Sequence, residues 1–233
     1  SMLPVKGQKI SLHGLEARIQ NIENNSILSI EGETVAPASA YLALMRHSPL
    51  GELLNGDFDD AQAQDNWEVP LSLKIPLLHS RETTVHGTIR FGGGTLTLMP
   101  EMPPFRSLAG SLDFSDTEIK ADNVKAEFLG GPLVASGGIG GAQKGLRIHG
   151  NLAAKALTEY GGVAGLKRLQ GQIPYRALVH RPHSRALAVT LDSTLVGLGM
   201  DFPQPLGKRS EQTLPLHLSW ARDKPGGDAD LNL

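Results

Sequence analysis

Apolar and polar residues alternate one by one along much of the chain. In LSLKIPL, from Leu71 to Leu77, every second position is apolar. Successive side chains of a β-strand point to opposite faces, so this period predicts half-buried strands. The same alternation recurs in TTVHGTIRF, LAGSLDFS, GLRIHGNL, IPYRALV, LAVTLDSTL and LPLHLSW. The pattern therefore predicts a mainly β protein with one apolar face.

The connections between these strands are short and rich in Gly, Asp and Ser, which favours an antiparallel meander over parallel crossovers. Proline cannot donate a hydrogen bond to a strand ladder. We therefore expect Pro70, Pro76, Pro174 and Pro215, which fall inside strand patterns, to mark sheet edges, bulges or strand ends. Several open edges follow from this expectation.

A change of parity interrupts TEIKADNVKAEFLG. Ile119 and Ala121 share one parity, whereas Val124, Ala126 and Phe128 share the other. One extra residue at positions 122–123 would return both sets to the same face, as a β-bulge does. We predict a bulge or bend there.

Two stretches depart from the strand period. Residues 36–55 predict a helical hairpin, in which Ser48 caps a second short helix and Pro49 takes its first position. Residues 153–169 predict a short helical insertion of about two turns that ends at Gly161–Gly162. No shift of composition divides residues 1–233, so one β-rich domain is expected. Residues 1–2 are expected to be a cloning remnant, and the rest a fragment of a longer chain.

The glycine-rich run EFLGGPLVASGGIGGAQKG resembles a phosphate-binding loop at first sight. The order Gly-Lys-Ser/Thr is absent around Lys144, and the spacing of a dinucleotide fingerprint fails at Gln143. Two tight turns that flank a short strand, PLVAS, are predicted instead, with Lys144 an ordinary turn lysine.

Candidate catalytic and metal-binding residues do not form a convincing set. His79, Glu82 and His86 lack the spacing that places two ligands on one helical face, and His180 with His183 lacks a third ligand. The acidic stretch 57–65 fails the calcium-loop pattern and predicts a surface loop. Serines and carboxylates on the polar strand positions, Ser111, Ser136, Asp113, Asp116 and Glu118, lack a nucleophile elbow or a cleft. We expect no enzyme activity, no metal and no cofactor.

Composition narrows the function classes further. Lys and Arg number 22 against 24 Asp and Glu, so no basic surface indicates a nucleic-acid partner. Cysteine is absent, which excludes disulfides and thiolate metal sites. Aromatic residues make up only 5%, so the buried face is aliphatic and a carbohydrate module is disfavoured. No apolar run reaches the roughly 20 residues of a membrane helix.

The apolar strand positions carry no charged residue, which suits either a filled core or an open groove for acyl chains, and the pattern alone leaves both open. The candidate face consists of Leu71, Leu73, Ile75, Val85, Ile89, Leu108, Leu112, Phe114, Ile119, Val124, Phe128, Leu146, Ile148, Leu187, Val189 and Leu191.

Four short motifs occur in order over residues 66–221: the apolar-Pro-Leu strand at Val69–Leu71, Gly-x-Leu-x-Phe at 110–114, Leu-Gly-Gly-Pro at 129–132 and Pro-x-Pro-Leu-Gly-Lys at 203–208. In this ordered set the chain resembles the AsmA-like superfamily, specifically its YhdP branch. The resemblance implies a periplasmic segment of a longer Gram-negative protein, anchored in the inner membrane by a helix outside this chain. It also implies a curled antiparallel sheet with an apolar groove, a role in phospholipid transport and envelope integrity, and no catalytic residues.

Three function classes follow, in decreasing order of support. The first is a non-enzymatic segment that binds phospholipid or another acyl-chain lipid. The second is a structural module that pairs through its sheet edges with flanking segments of the same protein or with a partner. The third is an enzyme, which would need convergent polar groups in a cleft.

Overall fold

The alternating pattern folds into one large sheet. The computed structural model of the chain describes residues 4–5, 8–9, 11–20, 26–46, 51, 54, 56, 58–79, 82–161, 167–182, 187–203, 205–222 and 229–232. Within these residues, thirteen strands form a single sheet in which every pairing is antiparallel, and two further two-stranded sheets lie beside it. The predicted mainly β, antiparallel meander is confirmed.

The strands are β1 Pro4–Val5, β2 Gln8–Lys9, β3 Ser11–Gln20, β4 Ile27–Pro37, β5 Gln62–Gln64, β6 Asn66–Pro76, β7 Thr84–Gly92, β8 Thr95–Thr97, β9 Arg106–Ser115, β10 Glu118–Phe128, β11 Gly131–Gly140, β12 Gly145–Ala153, β13 Leu169–His180, β14 Ala188–Ser193, β15 Leu198–Met200, β16 Leu216–Arg222 and β17 Ala229–Asn232. The helices are α1, Ala38–Arg46, and α2, Ala154–Gly161.

The order of strands in the main sheet follows the order of the chain, from β3 at one edge to β17 at the other. The strands β5 and β8 pair with each other outside this sheet, β1 and β2 form their own pair, and β15 pairs with β13 beside the main path. In the described part of the chain the two edge strands are not paired with each other, so the sheet is open.

The sheet curls, because residues far apart in strand order make contact. Arg181, at the end of β13, donates a hydrogen bond from Nη2 to the carbonyl oxygen of Leu54, 3.0 Å away, in the segment that follows α1. On a flat sheet β4 and β13 would be about 34 Å apart, at about 4.8 Å per strand. Tyr160 of α2 likewise donates to the carbonyl oxygen of Glu101, between β8 and β9.

The two ends of the strands differ in what they carry. We call one end the insertion rim, because its connections contain α1, β5, β8, α2 and β15. We call the other end the turn rim. Its β9–β10 connection is residues 116–117 and its β11–β12 connection is residues 141–144. The additional elements of the described fold therefore belong to the connections at one end of the strands, although Leu54 of the β4–β6 connection reaches Arg181 at the turn rim.

The bulge predicted in β10 is present. The pairing of β10 with β11 shifts between Ala121 and Val124, and Asn123 has a φ of 51°. Asparagine tolerates this left-handed conformation better than most residues. The shift returns Val124 and Ala126 to the face of Ala121, and all three are buried in one apolar cluster.

The prolines only partly follow the expectation from the sequence. Pro76 ends β6 and Pro215 directly precedes β16, as predicted. Pro70 and Pro174, however, lie inside strands that have neighbours on both sides, so their assignment to edges was wrong. Each marks a gap in one ladder. The β6–β7 pairing has no residue pairs between those of Glu68 and Leu71, and β13 changes partner around Pro174, from β14 to β15.

The prediction for the glycine run was wrong at Gly137–Gly138. These glycines lie inside β11, a ten-residue strand, and the turns fall at Leu129–Gly130 and after Gly140. A Cβ on Gly138 would lie 2.1 Å from the carbonyl oxygen of Ile119, so neighbouring backbone approaches too closely for any side chain. Glycine here permits close packing of strands rather than a turn.

The two helical predictions are met in part within the described residues. Helix α1 occupies residues 38–46 of the predicted hairpin, and Ser48 and Pro49 lie outside the described residues. Helix α2 occupies residues 154–161, and Gly162 also lies outside them. Leu214, predicted as the first apolar position of the last strand pattern, precedes β16 and is exposed.

Candidate functional site

One face of the main sheet is uncharged across most of its strands. Residues directly opposite each other in neighbouring antiparallel strands share a face. One such row crosses the eight strands from β7 to β16 and contains Ile89, Leu112, Ala121, Gly137, Leu146, Val179, Val189 and Trp220. A parallel row contains Val124, Ala135, Ile148, Ala177, Leu191 and Leu218. We call this surface the apolar face.

The structure places the sixteen residues of the candidate face as follows. Thirteen lie in β6, β7, β10, β12, β14 or the register-aligned part of β9, and their cross-strand pairs belong to the rows of the apolar face. Phe128 is paired with Gly131 in a row at the insertion rim. Leu108 is buried in the same cluster as Val124, and Leu187 is buried directly before β14.

The apolar face is covered at the insertion rim. Helix α1 packs Ala38 and Leu42 against Trp67 and Val69 of β6. In the middle of the sheet, Leu96 and Phe105 pack over the cluster that contains Leu108 and Val124, and the Phe105 ring stacks on Phe128 with centroids 4.6 Å apart. Helix α2 contributes Ala154 to a third cluster with Ile173, Leu195 and Leu198.

Much of the rest of the face is only half-covered, although Val85, Ile139 and Leu187 are buried. The apolar side chains of β6 change from buried at Trp67 and Val69 to half-buried at Leu71, Leu73 and Ile75. Leu112 and Phe114 of β9, Leu146 and Ile148 of β12, and Val189 and Leu191 of β14 are half-buried as well. No large side chain among the described residues is less than 2% exposed. A filled core of this size would bury several large side chains completely.

The polar group on the covered part of the face is fully hydrogen-bonded. Thr34 is 4% exposed, and its hydroxyl donates to the carbonyl oxygen of Val69 at 2.8 Å. It also accepts a hydrogen bond of 2.8 Å from the Tyr41 hydroxyl. Burial raises the pKa of Tyr41, and the hydrogen bond with Thr34 opposes that shift. The neutral pair therefore tolerates an apolar setting at little cost.

Four aromatic residues lie directly opposite glycines on the apolar face, an arrangement that the sequence analysis missed. The pairs are Phe114 with Gly87, Phe91 with Gly110, Phe128 with Gly131 and Tyr175 with Gly150. A Cβ on Gly87 would lie 2.5 Å from the Phe114 ring, and one on Gly150 would lie 2.9 Å from the Tyr175 ring. The Phe114 and Tyr175 rings therefore lie over the bare backbone of the glycines opposite them.

The opposite face of the sheet carries the charges. Arg90 pairs with Glu33 at 3.0 Å, and the Thr88 hydroxyl donates to Asp113 at 2.6 Å. A shallow depression of about 830 Å³ opens near Val134, His149, Arg176, Asp192 and His217, which form one row of this polar face. His217 contacts Asp192 at 2.7 Å, and both side chains are exposed. These groups are spread along a surface rather than gathered in a cleft.

The polar candidates from the sequence stay apart. Within the described part of the chain, no three His, Asp or Glu side chains approach each other as metal ligands would. His79 and Glu82 are exposed near the turn rim, Lys144 is exposed beside the β11–β12 turn, and His183 lies outside the described residues. Ser136 lies in β11 and Ser111 in β9. Neither of these two serines stands at a strand-to-helix elbow.

Lys208, from the motif at 203–208, is buried although it is charged. It is 9% exposed, and its ammonium donates to the carbonyl oxygens of Leu195, Leu198 and Arg209 at 2.8, 2.9 and 3.1 Å. The lysine therefore ties together the segment around β15 at the insertion rim. This is a structural role that the motif alone did not reveal.

An open, curled meander with one uncharged, half-covered face and one charged face defines a β-sheet scaffold protein with an accessible apolar face. The chain belongs to the YhdP family: the family model described as "YhdP protein" matches residues 5–233. The resemblance expected from the motifs is confirmed at this level, and it associates the chain with the cell envelope. The family is not known for enzymatic activity. Neither the curated proteins nor the solved structures contain a match to the chain.

In the part of the chain that the structure describes, no helix is both long enough and apolar enough to cross a membrane.

Proposed function

We propose that this chain is a non-enzymatic periplasmic segment of an AsmA-like envelope protein that binds phospholipid acyl chains along its apolar face. In this proposal it takes part in phospholipid transport between the inner and outer membranes, and an anchor outside this chain tethers it to the inner membrane. The observation that carries the proposal is the uncharged row that crosses eight strands from Ile89 to Trp220.

The dimensions of the face suit acyl chains. Eight strands at about 4.8 Å spacing span about 34 Å. The hydrocarbon core of a bilayer is about 30 Å thick, so one acyl chain occupies about 15 Å. A chain laid across the strands therefore covers three or four of them, and the row is long enough for two chains end to end.

The energetics also favour lipid. Burial of acyl chain contributes about 0.8 kcal/mol per methylene, so contact with even ten methylenes supplies about 8 kcal/mol. A charged side chain in the same place would cost several kcal/mol. The rows of the apolar face contain no Asp, Glu, Lys or Arg, which keeps this gain intact along the whole face.

The proposal is tested by a pair of neighbouring substitutions on opposite faces of β14. Leu191 is half-buried on the apolar face, and Thr190 lies on the polar face, where it pairs with Leu178 and Ser219. We expect Leu191→Asp to reduce loading with fluorescent phospholipid from vesicles about tenfold, because one carboxylate in the acyl path costs more than 1.4 kcal/mol. Thr190→Asp should load like the unsubstituted protein.

Melting curves of both variants report whether the fold persists, and Leu191→Thr supplies a milder polar change if Leu191→Asp unfolds. Extraction of the purified protein followed by mass spectrometry identifies any lipid that it carries. An unsubstituted protein that neither carries nor takes up lipid, or a Leu191→Asp variant that loads as well as Thr190→Asp, contradicts the proposal.

A second candidate function rests on the sheet edges. The outer sides of β3 and β17 have no strand partner in the described residues. An open edge can accept a strand from a flanking segment of the same protein or from a partner. Deletion of β3 should then abolish assembly with the preceding segment, whereas Leu191→Asp should leave that assembly unchanged.

A further inference from the structure

We infer that acyl chains enter and leave the apolar face at the turn rim, between β4 and β7, across an exposed apolar lip. This inference rests on the proposed lipid function and adds the route by which lipid reaches the face. We call Ile19, Leu28, Ile75, Leu77 and Leu78 the apolar lip.

The first argument is that the covering of the apolar face thins toward the turn rim on β4 and β6. Elsewhere the turn rim is covered too, because Leu54 contacts Arg181 there and Ile139 and Leu187 are buried. Helix α1, the segment with Leu96 and Phe105, and helix α2 all cover the apolar face at the insertion rim. In β4 the side chains change from buried at Ala36 and Thr34 to half-buried at Ile30 and Leu28 as the strand approaches the turn rim. The covering therefore thins toward the turn rim on this strand, as it does on β6.

The second argument is that the apolar rows continue past the ends of the strands. Ile19 pairs with Leu28, and Leu28 pairs with Ile75. Beyond Pro76, the amide of Leu77 donates to the carbonyl oxygen of Ser26 at 2.8 Å, which extends the β4–β6 register by one pair. Leu77 is 50% and Leu78 is 71% exposed. Leu77 thus continues the apolar face into solvent, and a second exposed leucine, Leu78, follows it directly.

The third argument is the chemistry of the other turn-rim connections. The β9–β10 turn contains Asp116 and is followed by Glu118, whose carboxylate accepts a hydrogen bond from Gln143 of the β11–β12 turn. The β13–β14 connection begins with Arg181, which contacts Leu54. The β6–β7 connection begins with two leucines, and His79 and Glu82 come after them.

An exposed apolar surface of this kind marks a place of contact with another apolar body. An acyl chain that crosses the lip stays in apolar contact throughout its passage, whereas a route over the charged turns would bring it past carboxylates. The headgroup, which gains nothing from the apolar face, then stays in solvent at the turn rim.

The test uses two matched pairs of leucines. Leu78 and Leu206 are both 71% exposed, and Leu77 and Leu214 are 50% and 47% exposed, but the second member of each pair lies near the insertion rim. The lip variant carries both Leu77→Asp and Leu78→Asp. The control variant carries both Leu206→Asp and Leu214→Asp. The readout is the rate of transfer of a fluorescent phospholipid from phosphatidylcholine vesicles.

We expect the lip variant to load about tenfold more slowly than the unsubstituted protein and the control variant to load at an unchanged rate. If both variants load at equal rates and the unsubstituted protein loads normally, the route across the apolar lip is wrong and the proposed function stands. An unsubstituted protein that takes up no lipid overturns both.

A second measurement does not depend on rates. The chain has no cysteine, so Leu78→Cys and Leu206→Cys each provide a single attachment point for an environment-sensitive dye. During loading from vesicles that contain brominated phospholipid, quenching at position 78 without quenching at position 206 supports the lip. Quenching at position 206 alone overturns it.

Discussion

Removal of the Lys208 ammonium should destabilise the fold more than the loss of any exposed lysine. In Lys208→Met the side chain keeps its length and its apolar stem, but the three carbonyl oxygens of Leu195, Leu198 and Arg209 lose their donor. Leu195 has a φ of 51°, a conformation that leucine rarely adopts, so the lysine also helps to hold a strained residue.

The magnitude follows from two opposing contributions. Hydrogen bonds to a charged group contribute about 1.5–3 kcal/mol each, so three of them offer several kcal/mol. Burial of the ammonium costs several kcal/mol in return. The remaining carbonyls of the variant are partly reachable by water, and we expect a net loss of about 2–3 kcal/mol in the free energy of unfolding. For a chain of this size, that corresponds to a fall in Tm of about 4–12 °C.

Urea titration followed by tryptophan fluorescence measures this loss. The control is Lys144→Met, which removes an exposed lysine and should change stability by less than about 0.5 kcal/mol. If Lys208→Met unfolds at the same urea concentration as Lys144→Met, the three hydrogen bonds do not stabilise the fold and the reasoning fails.

Two further changes test the packing of the sheet. Gly138→Ala should lower the unfolding free energy by about 1–3 kcal/mol, because its Cβ would lie 2.1 Å from the carbonyl oxygen of Ile119; Gly199→Ala, whose nearest neighbour would be 3.8 Å away, should be neutral in the same urea titration. Burial raises the pKa of Tyr175 to about 12. Because the unfolded pKa is about 10, the folded state disfavours the phenolate, so stability should fall by up to about 2–3 kcal/mol between pH 10 and about 12. Tyr175→Phe should flatten that fall, and an unchanged slope would contradict the assignment.

The strands were predictable because the alternation of apolar and polar residues within each strand shows which of its sides is buried. Leu71, Leu73 and Ile75 alternate with polar residues regardless of their neighbours, and the change of parity in β10 indicated the bulge at 122–123. Family membership also followed from four short motifs in order.

Features that depend on pairing between strands were not predictable. Gly137 and Gly138 have no side chain, so no period shows that they belong to a strand. The same holds for Pro70, where only the neighbouring ladders reveal an interior strand with a local gap. The Lys208 ammonium is buried and donates hydrogen bonds to backbone carbonyl oxygens. The residue types around Lys208 in the sequence do not indicate these contacts.

The alternation indicates which positions of each strand share a face, but not how exposed that face is. Alternation shows that one side of each strand avoids charge, and a filled core and an open groove require the same pattern. The difference arises from where α1, α2 and the residues around Phe105 lie against the sheet. Those contacts depend on the three-dimensional path of the chain.

The agreement between strand order and chain order has a consequence for how the molecule forms. In the main path each strand from β4 to β17 pairs with the strand that precedes it there, so one connection joins each pair of neighbouring strands. Loop closure is then inexpensive at every step, and the sheet can form hairpin by hairpin from its first strand as the chain is synthesised. Like a repeat array, such a sheet can also grow in evolution by added strands at either edge without rearrangement of those already present.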